Sequence, residues 1–262
     1  MKYFIPVVLI VLLGVVLAGC GGGGGGTTPT IPLESTTRAL LAGDEWQYSL
    51  TGTANDGTDT YAITGHYTET ISAMTVVIPD LTIAHVVLWS MTLTVNGTTA
   101  TIVGKNYYTQ NAQGTVYTFG GENADGVFYV TSGTFRSYIT QPSPVSVGSS
   151  WGAHVERTDG RSWDEYYVVT GIDTITVPAG RFEAYRVTGN GYFSDLPASI
   201  TEWYAPQVGA FVRGDLTATD SDLGVTMTLR LDLTNKNRSV ASGPTPVGGD
   251  LHQWMQQLRR RH

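Results

Sequence analysis

The 262-residue sequence contains little cysteine and little basic charge. Its single cysteine, Cys20, lies near the amino terminus, so the chain can form no intramolecular disulfide and no thiolate metal site. Lysine and arginine number 15 against 22 acidic residues, which gives a formal net charge of −7. A nucleic-acid-binding face needs a basic stripe, and this acidic balance therefore argues against a nucleic acid partner.

Recognisable catalytic and metal-binding motifs are also missing. The histidines do not lie at the ligand spacing of zinc motifs, and no Gly-x-Ser-x-Gly nucleophile elbow occurs. Two oxygen-rich stretches, residues 55–59 and 220–224, lack the spacing of the twelve-residue calcium loop and are typical of hairpin turns. Residues 96–98, Asn-Gly-Thr, match both a glycosylation triplet and a hairpin turn, and we expect the turn. Asp164 and Glu165 are adjacent on a predicted strand, so their side chains should point to opposite faces and cannot form an acid–base pair. We therefore expect no enzyme activity, no metal and no cofactor.

The first 20 residues have the pattern of a bacterial targeting segment. Lys2 precedes an apolar run over residues 4–16, which is too short to span a bilayer comfortably, since spanning needs roughly 20 apolar residues. The segment ends in Leu-Ala-Gly-Cys, residues 17–20, which resembles the lipobox of bacterial lipoproteins. The resemblance implies that residues 1–19 are a cleaved signal peptide and that Cys20 is acylated on its sulfur and often on its new amine, with palmitate as a typical fatty acid.

A glycine-rich tether follows the predicted anchor. Residues 20–32 contain six consecutive glycines and then threonines and prolines, which are too poor in apolar side chains to fold. A Gly-rich chain of a dozen residues spans roughly 20 Å. The sequence therefore predicts an extracytoplasmic body held close to a membrane of the bacterial cell envelope. Gly21 stands where an Asp would signal inner-membrane retention in many Gram-negative bacteria, which favours the outer membrane in such a cell.

The remainder of the chain is typical of an all-β domain. Residues 87–95 and 225–233 alternate between apolar and polar side chains, as expected of strands with one face in a core and one in water. After residue 234 the composition changes, and the tail 235–262 mixes proline, glycine and polar residues. Asp250 could cap a short amphipathic helix that ends in three arginines. One interpretation is that this basic, aromatic helix contacts anionic lipid or a partner protein. The other is that it closes one end of the body or is a frayed tail.

The body reads as two copies of one unit, over residues 33–145 and 146–234. Short stretches of the first copy recur in the same order in the second copy. The matched positions are 43–46 and 148–151, 63–65 and 169–171, 78–80 and 177–179, Ile83 and Phe182, 107–108 and 203–204, Gly114 and Gly209, and 125–127 and 223–225. Each copy holds about six predicted strands. Because unpaired edges must be hidden, we expect an antiparallel, barrel-like body made from the two halves.

The second copy carries three motifs, which are GSSW at residues 148–151, VPAGRF at 177–182 and WYAPQVG at 203–209. These motifs resemble a family of uncharacterised bacterial envelope β-domains, and the resemblance covers roughly residues 148–213. It implies a fold type, because the motif residues look like turn and core positions. It implies no activity, cofactor or catalytic residue.

Three functions are compatible with these features. A barrel of about twelve strands is too wide for side chains to fill, so the first is non-catalytic binding of an apolar small molecule or of another envelope protein. The second is glycan binding or hydrolysis through Glu202 and neighbouring aromatic residues. The third is a structural envelope component without a ligand. The candidate ligand-binding residues are Trp89, Glu202, Trp203 and Tyr204.

Overall fold

The computed structural model describes residues 29–79, 82–133, 136–193 and 196–238. These residues form strands and turns but no helix, and so no helix suited to crossing a membrane occurs among them. The predicted lipidation site Cys20, the signal peptide and the predicted carboxy-terminal helix all lie outside the described residues.

The described residues contain 14 strands. Their bounds are β1 Thr30–Ile31, β2 Asp44–Asn55, β3 Thr60–Val77, β4 Ile83–Val95, β5 Thr98–Gln110, β6 Val116–Asn123, β7 Gly126–Tyr129, β8 Tyr138–Gln141, β9 Ser150–Glu156, β10 Ser162–Val177, β11 Gly180–Phe193, β12 Leu196–Ala205, β13 Ala210–Asp220 and β14 Val225–Arg238. The last strand runs four residues past the boundary that the sequence predicts at 234, because residues 235–238 pair with the start of β2.

All 14 strands belong to one sheet, in the order β7-β6-β5-β4-β3-β2-β14-β13-β12-β11-β10-β9. Neighbours in this order pair antiparallel. Two further strands lie outside this order. Strand β8 pairs antiparallel with β6, and β1 pairs with β11 in the one parallel pair of the described strands. The prediction of an all-β, antiparallel fold is therefore confirmed. The pairing of β2 with β14 joins the two predicted halves into a single sheet.

The sheet is not closed. No ladder joins its end strands β7 and β9 among the described residues, so the predicted barrel-like closure is not confirmed. The two ends do approach each other at an isolated antiparallel bridge between Val130 and Arg157. The backbone amide of Thr131 donates to the carbonyl of Glu156 at 2.8 Å beside this bridge. The sheet therefore curves far enough for its two ends to meet at this point.

The inner face of the curved sheet forms the main apolar core. Over residues 225–233 every odd-numbered side chain is buried, as the alternation predicts. Threonines occupy many outer positions, where their β-branched polar side chains suit a strand surface exposed to water. Thr94 and Thr99 share a cross-strand hydrogen bond of 2.8 Å there. The core contains residues of both halves, including Trp46, whose indole N–H donates to the carbonyl of Val208 at 3.2 Å.

The predicted hairpin turns are confirmed. Asn96 and Gly97 both have positive φ, 49° and 73°, which is the conformation of a type I′ hairpin turn. In the turn between β2 and β3, the carboxylate of Asp56 accepts the backbone amides of Thr58 and Asp59 at 2.9 and 2.8 Å. The side-chain oxygens of this turn therefore stabilise its backbone, as expected of a hairpin turn.

Candidate functional site

An interior cavity of about 380 Å³ lies along the inner face of the sheet. Strands β3 to β14 all contribute side chains to its wall. It reaches the surface at the turn between β6 and β7, where the lining residues Ala124 and Asp125 are exposed. Its volume falls within the range of roughly 300–1,000 Å³ that is typical of small-molecule sites.

Glycines within the strands let aromatic rings lie flat against the cavity wall. A Cβ atom at Gly104 would lie 2.4 Å from the indole of Trp89, and one at Gly191 would lie 2.2 Å from the hydroxyl of Tyr167. Gly189 likewise leaves space for the Tyr167 ring. Such glycines mark close approach of a neighbour within a sheet. They keep the rings against the wall and leave the space between the walls open.

Aromatic rings make up much of this wall. Trp151 and Tyr167 stack with ring centroids 5.5 Å apart and planes 25° apart. Trp163 and Tyr192 form a second, tilted pair at 5.2 Å. Stacked and tilted rings of this kind present flat apolar faces to a ligand and retain a polar edge.

Besides Glu122, two glutamates line the cavity, and another glutamate lies close to one of these two. Glu202 and Glu165 line the cavity, and burial raises the pKa of each carboxyl to about 7. The indole N–H of Trp163 donates to Glu165 at 3.3 Å and offsets part of that rise. Glu69 on β3 also has its pKa raised to about 7, first by burial and then by repulsion from Glu202. Near neutral pH these three carboxyls are poised between charged and neutral forms.

No ion pair of the described residues includes any of these three carboxyls. The two cations of the lining have other partners, since Lys105 pairs with Glu122 at 2.7 Å and Arg157 pairs with Asp159. The guanidinium of Arg157 also lies 3.4 Å from the ring centroid of Phe128. The cavity therefore combines aromatic walls with acidic groups that no cationic side chain in the described part of the chain neutralises.

The structure brings together two of the four predicted ligand-binding residues. Trp89 and Glu202 both line the cavity. Trp203 does not, because adjacent strand residues point to opposite faces, and its indole N–H donates to the carboxylate of Asp173 at 2.8 Å. Tyr204 does not line the cavity either. It is buried, and its hydroxyl forms a hydrogen bond of 2.6 Å with the hydroxyl of Thr37.

Sequence reasoning missed most of the cavity residues. Glu165 was expected only to point away from Asp164, and it does: Asp164 is exposed and hydrogen-bonds His154 at 2.8 Å, whereas Glu165 faces the cavity. The only sequence feature that places Glu69 near the cavity is its position two residues after Tyr67, because alternate residues of a strand share one face. The glycines inside strands were the one local sign of close aromatic packing.

The described residues contain no group of three or more His, Cys, Asp or Glu side chains that could hold a metal ion. No protein-family model and no curated protein matches the chain. Among solved structures, one similar chain is a "putative exported protein with YmcC-like fold" from Bacteroides fragilis, with 12% identity over 78% of this chain and 99% of that chain and a TM-score of 0.34. Another is a "putative lipoprotein" from Parabacteroides distasonis, with 15% identity over 78% of this chain and 100% of that chain and a TM-score of 0.34.

Proposed function

We propose that the protein is a lipid-anchored, extracytoplasmic lipoprotein of the bacterial cell envelope that binds a small molecule in its interior cavity without catalysing a reaction. The cavity is the observation that carries the binding role. Protein interiors are normally packed as densely as organic crystals, and voids larger than a water molecule are few. A space of about 380 Å³ with aromatic walls and convergent polar groups has the character of a ligand site.

The lipid anchor is supported by the lipobox, and the place where the chain enters the body bears on how an anchored body would be oriented. The backbone amide of Arg38 donates to the carbonyl of Pro206 at 3.0 Å, in the turn between β12 and β13. That turn and the exposed turn at Ala124 and Asp125 lie at opposite ends of the strands. A body tethered through Cys20 would therefore hold the opening of its cavity away from the membrane.

A glycan-directed role is the second candidate, and Glu202 with the aromatic wall favours it. Carboxyl groups beside aromatic rings suit sugar recognition, and glycosidases use pairs of carboxyls about 5–10 Å apart. Trp203 was part of this hypothesis and lies outside the cavity, bonded to Asp173. The glycan-directed role therefore depends on Glu202, Glu165 and Trp89 instead.

We infer that the body arose from a duplicated unit that approximates a barrel. Strands β2 to β7 and β9 to β14 would be the two copies, and each follows the same order across the sheet. Glycines at corresponding turns support this inference, since Gly43 and Gly148 have φ values of 87° and 88°, and Gly114 and Gly209 have 92° and 76°.

Within this inference, the hydrogen bonds favour a different match for one stretch. The amide of Gly43 donates to the carbonyl of Ile71 at 2.8 Å, and the amide of Gly148 donates to that of Val169 at 2.9 Å. Ile71 would therefore correspond to Val169, in place of the Ile63 that the sequence predicts. The difference arises because β2 and β3 pair over more residues than β9 and β10 do, so the longer first hairpin shifts the numbering.

Replacing Cys20 with serine tests the anchor. We expect the wild-type protein in the membrane fraction of the cell envelope and the C20S protein in the soluble fraction, because only the thiol can accept the diacylglycerol. Cell fractionation followed by immunoblotting measures this, with T27S in the tether as the control. Equal retention of C20S and wild type in the membrane fraction would contradict the lipobox assignment.

Filling the cavity tests the binding role. Leu216 lines the cavity, and its neighbour Thr217 is exposed. We expect the neutral fluorophore N-phenyl-1-naphthylamine to bind the unacylated C20S protein with one-to-one stoichiometry, and a Leu216→Trp change to weaken that binding at least tenfold. Thr217→Trp adds the same side chain to the same strand on the outer face and should leave binding unchanged. Equal fluorescence titrations for the two variants would place the dye outside the cavity and contradict the proposal.

A further inference from the structure

We propose that the cavity selects an organic cation, an amine with an apolar or aromatic body, and holds its ammonium group beside Glu202, with Glu165 as a second acidic group of the same wall. The inference rests on the proposed binding function, because it names the class of ligand that the same cavity takes.

The balance of charge in the cavity wall is the first argument. The other charged side chains of the wall are held in ion pairs, which are Lys105 with Glu122, Arg157 with Asp159, Asp125 with Arg161 and Asp215 with Arg230. Glu165 and Glu202 are in no such pair, and Glu69 lies close enough to Glu202 to repel it. When they are ionised, these acidic groups of the wall can be neutralised by a cationic ligand.

The cost of burying a carboxylate is the second argument. A carboxylate removed from water loses solvation, and it regains that energy only from a cation or from hydrogen-bond donors. Among the described residues, Glu202 has no hydrogen bond or ion pair, whereas Glu165 accepts one from Trp163. An ammonium group supplies both the charge and the donors, while an anionic ligand would be repelled.

The aromatic wall is the third argument. A cation is attracted to the face of an aromatic ring, and the attraction grows when water is excluded. The cavity already contains such a contact, between the guanidinium of Arg157 and the ring of Phe128. Trp89 and the stacked pair of Trp151 and Tyr167 offer further faces, both to an ammonium group and to the apolar body attached to it.

The groups around Glu202 determine how this binding depends on pH. Glu202 is close enough to raise the pKa of Tyr48, Tyr67, Tyr167 and Tyr204 as well as that of Glu69. Burial raises the pKa of these tyrosines first, so they stay neutral below pH 9. The carboxyls of Glu69, Glu165 and Glu202 therefore determine how the charge of this region changes between pH 5 and 8. Amine affinity should therefore rise as the pH rises through about 7.

Two probes of the same shape test the inference. Benzylamine is a cation at neutral pH, and benzyl alcohol is its neutral counterpart. Isothermal titration of the full chain carrying C20S should give at least tenfold tighter binding of benzylamine than of benzyl alcohol at pH 8. It should also give at least tenfold weaker binding of benzylamine at pH 5.5 than at pH 8. Equal affinities for the two probes would overturn the cation inference.

Variants locate the ammonium group. Glu202→Gln should weaken benzylamine binding at least tenfold and leave benzyl alcohol binding unchanged, and Glu165→Gln should act in the same direction. The exposed Glu34→Gln is the matched control and should change neither probe. Thermal unfolding verifies that each variant is folded. Unchanged benzylamine binding in both folded cavity variants would overturn the inference, and so would the failure of both probes to bind. Only the additional failure of the naphthylamine titration would overturn the binding function itself.

Discussion

Raising the pH from 5 to 8 is expected to lower the free energy of unfolding by about 3–6 kcal/mol. Glu69, Glu165 and Glu202 each have a folded-state pKa of about 7, against a model value of 4.5. Between these two values the folded chain binds more protons than the unfolded chain. Stability is therefore greatest at mildly acidic pH, falls as the pH rises through this window and is level above it. One pKa unit corresponds to about 1.4 kcal/mol, and the partial exposure of Glu69 and Glu202 keeps the sum below the limit of three full shifts.

Urea unfolding at pH 5.5, 6.5 and 8 measures this dependence. Each of the three Glu→Gln changes should reduce the slope with pH, and the triple variant should remove most of it, whereas Glu34→Gln should keep it. His154 contributes a change of the same sign, because its hydrogen bond to Asp164 raises its pKa, and the variants separate the two sources. A free energy of unfolding that rises from pH 5.5 to 8 in the wild type would contradict the burial of these carboxyls.

Gly104→Ala is expected to destabilise the protein by about 2–4 kcal/mol, at the upper end of the cost of overpacking a core. The added Cβ would lie 2.4 Å from the indole of Trp89 and 2.7 Å from the backbone carbonyl of Glu122. A rotamer change of Trp89 relieves the first contact, but the second involves the neighbouring strand. The backbone of β5 or β6 must therefore move.

Gly171→Ala is the matched control for this prediction. Its nearest neighbour would be the Nη2 atom of Arg186 at 3.0 Å, which is the far end of a flexible side chain whose Nη1 atom lies 3.3 Å from Asp173. We expect a change below about 1 kcal/mol there, since a side chain that can move aside removes the clash. Chemical denaturation measures the free energy of unfolding of both variants. Equal destabilisation by the two changes would contradict the proposed packing of Trp89 against Gly104.

The local features of the fold could be predicted from the sequence. The turn at Asn96 and Gly97 and the alternation over residues 225–233 depend on neighbours within a few residues, so short patterns determine them. The opposite directions of Asp164 and Glu165 follow from the same period of two. The same alternation places the adjacent residues Glu202 and Trp203 on opposite faces of the sheet, so the two cannot belong to one site.

The cavity could not be predicted in the same way, because it depends on contacts between distant strands. Glu69 and Glu202 lie on β3 and β12, which are far apart in the sequence, and only the curvature of the sheet places them close together. The way in which the two ends of the sheet meet could not be predicted either. The end strand β7 is only four residues long, and the contact between Val130 and Arg157 is a single bridge that leaves no pattern in the sequence.

Native mass spectrometry of the unacylated C20S protein, purified from the soluble fraction of the bacterial envelope without detergent, tests the central claim most directly. The account predicts a reproducible additional mass that leaves on organic extraction and is lost in Leu216→Trp but kept in Thr217→Trp. The mass and charge of the released molecule would also identify it as an amine or as another class. A clean mass of the protein alone, in the wild type and both variants, would contradict a resident ligand and favour a structural role or an envelope-protein partner.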